Sequence, residues 1–157
     1  MGNLSAHFST SEFTCKCGCG FSKVDKTLID KLEKLRTLCG NKPITITSGC
    51  RCSKYSPKVG GFTNDAHTKG IAADIIIAGV SPADVAAAAE KVGFSGIGLM
   101  ANATHVDVRN DQNYYNNHWF GNEVTGDDHI TTFIKNTSGK HVLTVCIDGV
   151  EIFRKEV

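Results

Sequence analysis

Leucines recur at helical spacing in "VDKTLIDKLEKLRTLCG", where Leu28, Leu32, Leu35 and then Cys39 form one apolar stripe between charged positions. That stripe predicts an amphipathic helix with Asp25 as its cap and Gly40 at the end, where a left-handed residue is favoured. The pattern then changes to β-branched residues. "KPITITSG" predicts a strand over Ile44, Thr45, Ile46 and Thr47 that Gly49 ends, leaving Arg51 just past it. From Cys50 to Lys69 the chain is rich in Ser, Lys, Gly, Asn and Thr, which predicts a loop leading into His67. "AADIII", Ala72 to Ile77, has the length and branching of a buried strand, yet Asp74 falls inside it. "SPADVAAAAEKVG" carries Ser81 as a cap, Pro82 at the first helical position, Asp84 three residues after the cap and Gly93 at the end, and predicts a second helix. "SGIGLM" and "ATHVDVR" read as two strands joined by a turn around Ala101 and Asn102. Together these elements predict an α+β domain ending near residue 112.

Beyond it, "NDQNYYNNHWFGNEVTGDD" is polar with aromatic insertions, and "HITTFIK", "HVLTVCI" and "VEIFRK" predict three short strands. Asp148-Gly149 between the last two is a two-residue hairpin signal. The chain is therefore divided into residues 1–112 and a β-rich annex, residues 113–157. A length of 157 residues accommodates one such domain and a short annex, hence one active site.

Composition narrows the functional classes. The formal net charge of +1 gives no basic excess of the kind that non-specific nucleic-acid binding requires, so no nucleic-acid partner is expected. There is no run of eighteen apolar residues to span a membrane, and "MGNLSAHFSTSEF" lacks the basic start and apolar stretch of a secretory signal. The expectation is a soluble product that is cytoplasmic on synthesis. Ala6 also stands where N-myristoylation favours Ser or Thr.

Candidate chemistry begins with the two places where a His is followed by an acid. Side chains alternate along a strand, so His105 and Asp107 project to one side while Thr104, Val106 and Val108 face the other. Asp74 in its apolar run is costly to bury unless paired or metal-bound. Two imidazoles and one carboxylate, His67, Asp74 and His105, form a mixed ligand set that suits catalytic zinc with a position open for water. Each residue alone has an ordinary reading as a hydrogen-bonded His or an ion-paired Asp. Seven cysteines, clustered as Cys15, Cys17 and Cys19 and as Cys50 and Cys52 with Cys39 and Cys146 apart, do not make a complete disulfide framework. The clusters are open to a structural zinc, to disulfides or to plain thiols, and either crosslink would hold Arg51 between Cys50 and Cys52.

The motifs "SGCR", "GGFTNDAHTKGIAAD" and "HVDVR", in this order and spacing, give the chain a resemblance to the zinc-dependent D-alanyl-D-alanine carboxypeptidase family of peptidoglycan peptidases. That family shares its core fold with the hedgehog signalling domain, so the resemblance implies an antiparallel sheet with flanking helices. The likeness runs from about Phe8 to Arg109, and "EFTCKCGCGF" with "SGCRC" resembles the branch found in phage and prophage lysis enzymes. It implies His67, Asp74 and His105 as zinc ligands and Arg51 as the group that meets a substrate carboxylate or the developing oxyanion. It implies bacterial peptidoglycan stem peptides as partners, and as the reaction a D-Ala-D-Ala carboxypeptidase or endopeptidase cleavage by a lysin that acts on the cell wall after release.

Relatives often carry an acid three positions before the last ligand His, where this chain has Asn102, so Asp107 becomes the candidate general base. The alternative for Asp107 is an acceptor that fixes the tautomer of a ligand His. Asp65 likewise stands where relatives commonly have Ser. Gly70 and the pair Gly60-Gly61 are expected to serve the backbone. His118, Trp119, Tyr114 and Tyr115 are expected to pack the annex rather than cover a cleft, and the annex itself is open to being a wall-binding module or a cap on a sheet edge. A competing class is a catalytically idle relative, zinc-stabilised, that binds wall peptide or a protein.

Overall fold

Helix α2 shows how the sequence pattern becomes architecture. In the computed structural model it spans Lys26–Leu38, Asp25 accepts a hydrogen bond from the Thr27 backbone N–H, and Leu28, Ile29, Leu32 and Leu35 are its buried face. Residues 2–110 are described with their side chains, and beyond them the backbone of residues 118–120, 129–135, 141–147 and 150–156. A one-turn helix α1, Thr10–Phe13, precedes it. Its Glu12 carboxylate accepts from the Ser9 backbone N–H at 2.6 Å, a capping interaction that the hydrophobic pattern does not reveal. Helix α3, Pro82–Val92, starts at Ser81, whose side chain accepts from the Asp84 N–H, and ends at Gly93 with φ of 85°. The predicted cap, proline and terminal glycine of this helix are all used.

The strands are β1 (Ile44–Ser48), β2 (Ala72–Ile77), β3 (Gly96–Leu99), β4 (Thr104–Asp107) and β5 (His118–Phe120), and they form one sheet in the order β1-β2-β4-β3-β5. The first four pair antiparallel, and β5 joins β3 in parallel. Thus the α+β class and the antiparallel sheet with flanking helices hold. Strand β5 comes from the segment assigned to the annex, so the main sheet reaches past residue 112. Strands β6 (His129–Lys135), β7 (His141–Ile147) and β8 (Val150–Glu156) form a separate antiparallel sheet, with Ile147 opposite Val150 across the predicted hairpin. The turn residues Asp148 and Gly149 lie outside the described residues, as do Tyr114, Tyr115 and the side chains of His118 and Trp119. Among the described residues no helix is long and apolar enough to cross a membrane.

Pleating gives the main sheet two unlike faces. Ala73, Ile75, Ile77, Ile97 and Val106 lie in the core with Leu28, Leu32, Leu35, Val85, Ala86 and Ala89 of the helices. Thr104 shares the core side and donates its hydroxyl to the Pro82 carbonyl at 2.9 Å, which ties β4 to the start of α3. The intervening residues face the other way. Cross-strand register sets Asp74 opposite His105, Ala72 opposite Asp107, and Gly96 and Gly98 opposite Asp107 and His105. Four polar residues buried on this sheet or beside it, His67, Asp74, His105 and Asp107, therefore share one region.

Candidate metal centre

Each of the three predicted ligands arrives by a different device. Asp74 and His105 are carried opposite each other by the β2–β4 ladder. His67 comes from the loop before β2, where its carbonyl accepts from the N–H groups of Arg51 at 3.2 Å and Gly70 at 3.1 Å. Gly70 has a φ of 73°, and a Cβ there would collide with the Lys23 carbonyl, so glycine is required for both conformation and space. The His67 ring is aimed by its Nδ1, which lies 2.7 Å from the Gly49 carbonyl. Gly49 is itself close-packed, because a Cβ would sit 2.5 Å from the Phe13 Cα. Helix α1 thus supports the wall against which His67 rests.

The inward atoms converge. His67 Nε2 lies 3.1 Å from His105 Nδ1, His105 Nδ1 lies 2.8 Å from Asp74 Oδ1, and His67 Nε2 lies 3.3 Å from the same oxygen. The outward nitrogens decide the tautomers. Gly49 offers a carbonyl that only accepts, so His67 Nδ1 carries the proton and Nε2 a lone pair. His105 Nε2 faces the Asp107 carboxylate at 3.1 Å, so that nitrogen donates and Nδ1 is left with a lone pair. Two nitrogen lone pairs and a carboxylate oxygen aimed at one another repel unless a cation lies among them. Ligands about 2.0–2.1 Å from a tetrahedral zinc are roughly 3.3 Å apart, close to these separations. The donor set, its inward lone pairs and its fixed tautomers therefore fit zinc.

Protons and a metal ion compete for the same inward atoms. The Asp74 carboxyl is held well below the usual carboxylate range: burial opposes this, but hydrogen bonds with His105 and His67 outweigh it. Burial lowers and hydrogen bonds with Asp107 and Asp74 raise the His105 imidazole, which ends above its ordinary value, so a proton on Nδ1 competes with a metal at that atom. Arg51 is brought to the same place. It donates through Nε to Ser48 Oγ at 2.8 Å and through Nη2 to Asp74 Oδ2, leaving Asp74 Oδ1 toward the histidines. The irregularity between Ile46 and Ser48 in β1 puts Ser48 opposite Asp74, a bulge of the kind that re-aims side chains beside active sites.

Asp107 lies on the far side of His105 from the converging atoms. Its Oδ1 accepts from the Arg109 backbone N–H at 3.0 Å and from Arg109 Nε at 2.9 Å, while Oδ2 accepts from His105 Nε2 and from Arg109 Nη2. The carboxylate is fully buried, and the His105 and Arg109 donors hold it below its ordinary range against the effect of burial. This is the placement of a carboxylate that orients a ligand His. Asn102 is exposed on the turn between β3 and β4. Asp65 accepts from Ser56 Oγ and from the N–H groups of Phe62 at 3.0 Å and Thr68 at 2.9 Å, so it braces the loop that delivers His67. Sequence reasoning assigned no role to Arg109, although its alternation with His105 and Asp107 was a usable signal.

A family model described as Peptidase M15 matches residues 6–109, a span that holds every residue of this centre and stops before residue 113. No curated protein sequence matches the chain.

Proposed function

Because the chain belongs to the peptidase M15 family, and is thus a zinc metallopeptidase of the D-alanyl-D-alanine carboxypeptidase kind, we propose that it hydrolyses an amide bond in peptidoglycan stem peptides. His67, Asp74 and His105 would hold the zinc. The observation that carries the ligand assignment is the inward convergence of two imidazole lone pairs and one carboxylate oxygen, each backed by a partner on its outer side.

Zinc in that position supplies a Lewis acid for the carbonyl and lowers the pKa of a bound water toward ~7. The chain's own residues do the rest. Asp107 fixes the His105 tautomer, and the Gly49 carbonyl does the same for His67. Arg51 is already anchored to Ser48 and Asp74, so its guanidinium is placed beside the ligand set to meet a substrate carboxylate or a developing oxyanion. A groove lined by Cys52, Ser53, Thr63, Asn64, Thr68 and Lys69, among others, adjoins the centre in sequence, since Cys52 follows Arg51 and Thr68 follows His67. A stem peptide rich in carboxylates suits a groove that offers one lysine and several hydroxyl and amide groups. An internal cut opens the wall mesh where a terminal trim does not, which favours an endopeptidase for a lysin released to the wall.

Digestion of purified peptidoglycan by the zinc-loaded protein, read by mass spectrometry, tests this reading. New peptide termini that vanish with His67→Ala would support it and identify the bond. Intact stem peptides across several wall types, from protein with zinc measured at the His site, would refute hydrolysis and leave a wall-peptide binder.

A further inference from the structure

The second group of metal-ligating side chains in the described residues lies outside this centre. Cys15, Cys17, Cys19 and Cys52 each place a sulfur so that all four lie within 4.8 Å of one another. The local backbone is built for it. Gly18 and Gly20 adopt φ of 79° and 78°, a region that favours glycine, and the alternating "CKCGCG" segment curls so that three sulfurs meet. Cys52 comes from the loop after β1, some thirty-odd residues later in sequence, and its backbone N–H donates to Cys15 Sγ at 3.3 Å.

We propose that these four cysteines bind a structural zinc ion, separate from the His67, Asp74 and His105 centre. Distances decide against disulfides. A disulfide needs sulfurs about 2.05 Å apart, whereas Cys15 Sγ and Cys17 Sγ are 3.4 Å apart and Cys17 Sγ and Cys52 Sγ 3.6 Å apart. Thiolates about 2.3 Å from one tetrahedral zinc lie roughly 3.8 Å from each other, near these values. A cluster of several irons would have to sit between the sulfurs and would hold them farther apart. Four soft thiolates with no open position match a closed structural site, not a catalytic one. Cys50, buried in the core, and Cys39 take no part.

The consequence reaches the catalytic region through one peptide unit. Cys52 follows Arg51, so the ion would clamp the N-terminal segment to the loop that carries the arginine, while Cys50 on the other side is anchored in the core. The zinc would add a second tether to a loop whose Arg51 is already held by Ser48 and Asp74.

Metal analysis of the full chain, purified under reducing conditions, tests the assignment. Two zinc ions per chain are expected in the wild type. Cys17→Ser with Cys19→Ser, both exposed positions, should leave one, and the cobalt-substituted form should lose its thiolate-to-cobalt absorption. His67→Ala with His105→Ala should also leave one ion but keep that absorption. The proposal is overturned if the cysteine pair leaves the zinc content unchanged, if the histidine variant shows no thiolate-to-cobalt band, if the bound metal is iron, or if the intact mass reports disulfides in the purified protein. Should the cysteine variant fail to fold, the histidine variant's cobalt spectrum decides alone. A single zinc with a thiolate signature in the wild type would sink the ligand assignment of the first centre and leave this one standing.

Discussion

Replacing Asp107 by Asn separates two roles that a carboxylate beside a ligand His can play. Asn has nearly the same shape, so the buried site keeps its volume and the change is confined to hydrogen bonding. Asp107 accepts from Arg109 through both oxygens and from His105 Nε2 through Oδ2. An amide has one accepting end. With its oxygen toward Arg109, its NH2 meets the His105 N–H, and the imidazole is driven to the tautomer whose proton sits on Nδ1, where the metal belongs. With its oxygen toward His105, the NH2 faces the Arg109 guanidinium, a donor against a cation. Either orientation withdraws part of the support for the Nδ1 lone pair.

Loss of such support typically lowers metal affinity about 10–100-fold, or roughly 1.4–2.7 kcal/mol. Competition with a chromophoric chelator measures the zinc affinity directly, and peptidoglycan digestion at rising zinc measures what survives at saturation. The expected outcome is weaker binding with cleavage restored by excess zinc. Wild-type zinc affinity combined with cleavage that no amount of zinc restores would refute this reasoning and return Asp107 to the general-base role.

Two further outcomes follow from neighbouring geometry. Gly96 has no positive φ to explain it, but an added Cβ would strike Asp107 Oδ2 and lie 2.5 Å from its Cγ; Gly96→Ala should therefore cost about 1–3 kcal/mol in a thermal melt and weaken zinc binding, and wild-type affinity would show that the carboxylate moves freely. Glu33 accepts from Ser5 Oγ at 2.6 Å and the His7 N–H at 3.0 Å; burial raises its carboxyl, but the bonds from Ser5 and His7 bring it below its ordinary value. A depressed folded pKa contributes stability above the unfolded value of about 4.3 and loses it as pH falls through the folded one, so the wild-type advantage over Glu33→Gln in melting temperature should be present at about pH 5 and fade below it. An advantage that persists undiminished to pH 3 would contradict the carboxylate's role.

The helices and strands were legible because they announce themselves locally. Helix α3 carries its cap, its proline and its terminal glycine in sequence, and the alternation in "THVDV" told which side chains share a face. Helix α1 was not, since four residues give no periodicity and its one usable signal was the Ser9-x-x-Glu12 capping box. The orientation of Asp107 was hidden for a related reason. Strand alternation places Asp107 beside His105 but does not say which ring nitrogen it meets, and that depends on Arg109 turning back onto the carboxylate. The cysteine clusters were open in sequence to a structural zinc, to disulfides or to plain thiols; that Cys52 and not Cys50 joins Cys15, Cys17 and Cys19 shows only once Cys50 is packed in the core.

The same alternation ties the site to the fold's stability. In β2 the residues Ala73, Ile75 and Ile77 enter the core while Asp74 lies between them on the other face, and in β4 Thr104 and Val106 alternate with His105 and Asp107. A slip of one residue would move the whole polar set into the helical core and expose Val106 to the site. Burying an unpaired carboxylate there costs several kcal/mol, and each lost aliphatic side chain about 1.5–3 kcal/mol more, so slipped pairings are strongly disfavoured against a typical net stability of about 5–15 kcal/mol. Hydrophobic packing on one face thereby enforces the relative placement of Asp74, His105 and Asp107 on the other. The glycines of β3 complete the arrangement: Gly96 leaves the room that Asp107 fills, while Ile97 between Gly96 and Gly98 faces the helices. Ligand geometry in this sheet is a by-product of core register, so substitutions that loosen the aliphatic face should disturb the metal-binding face before they unfold the chain.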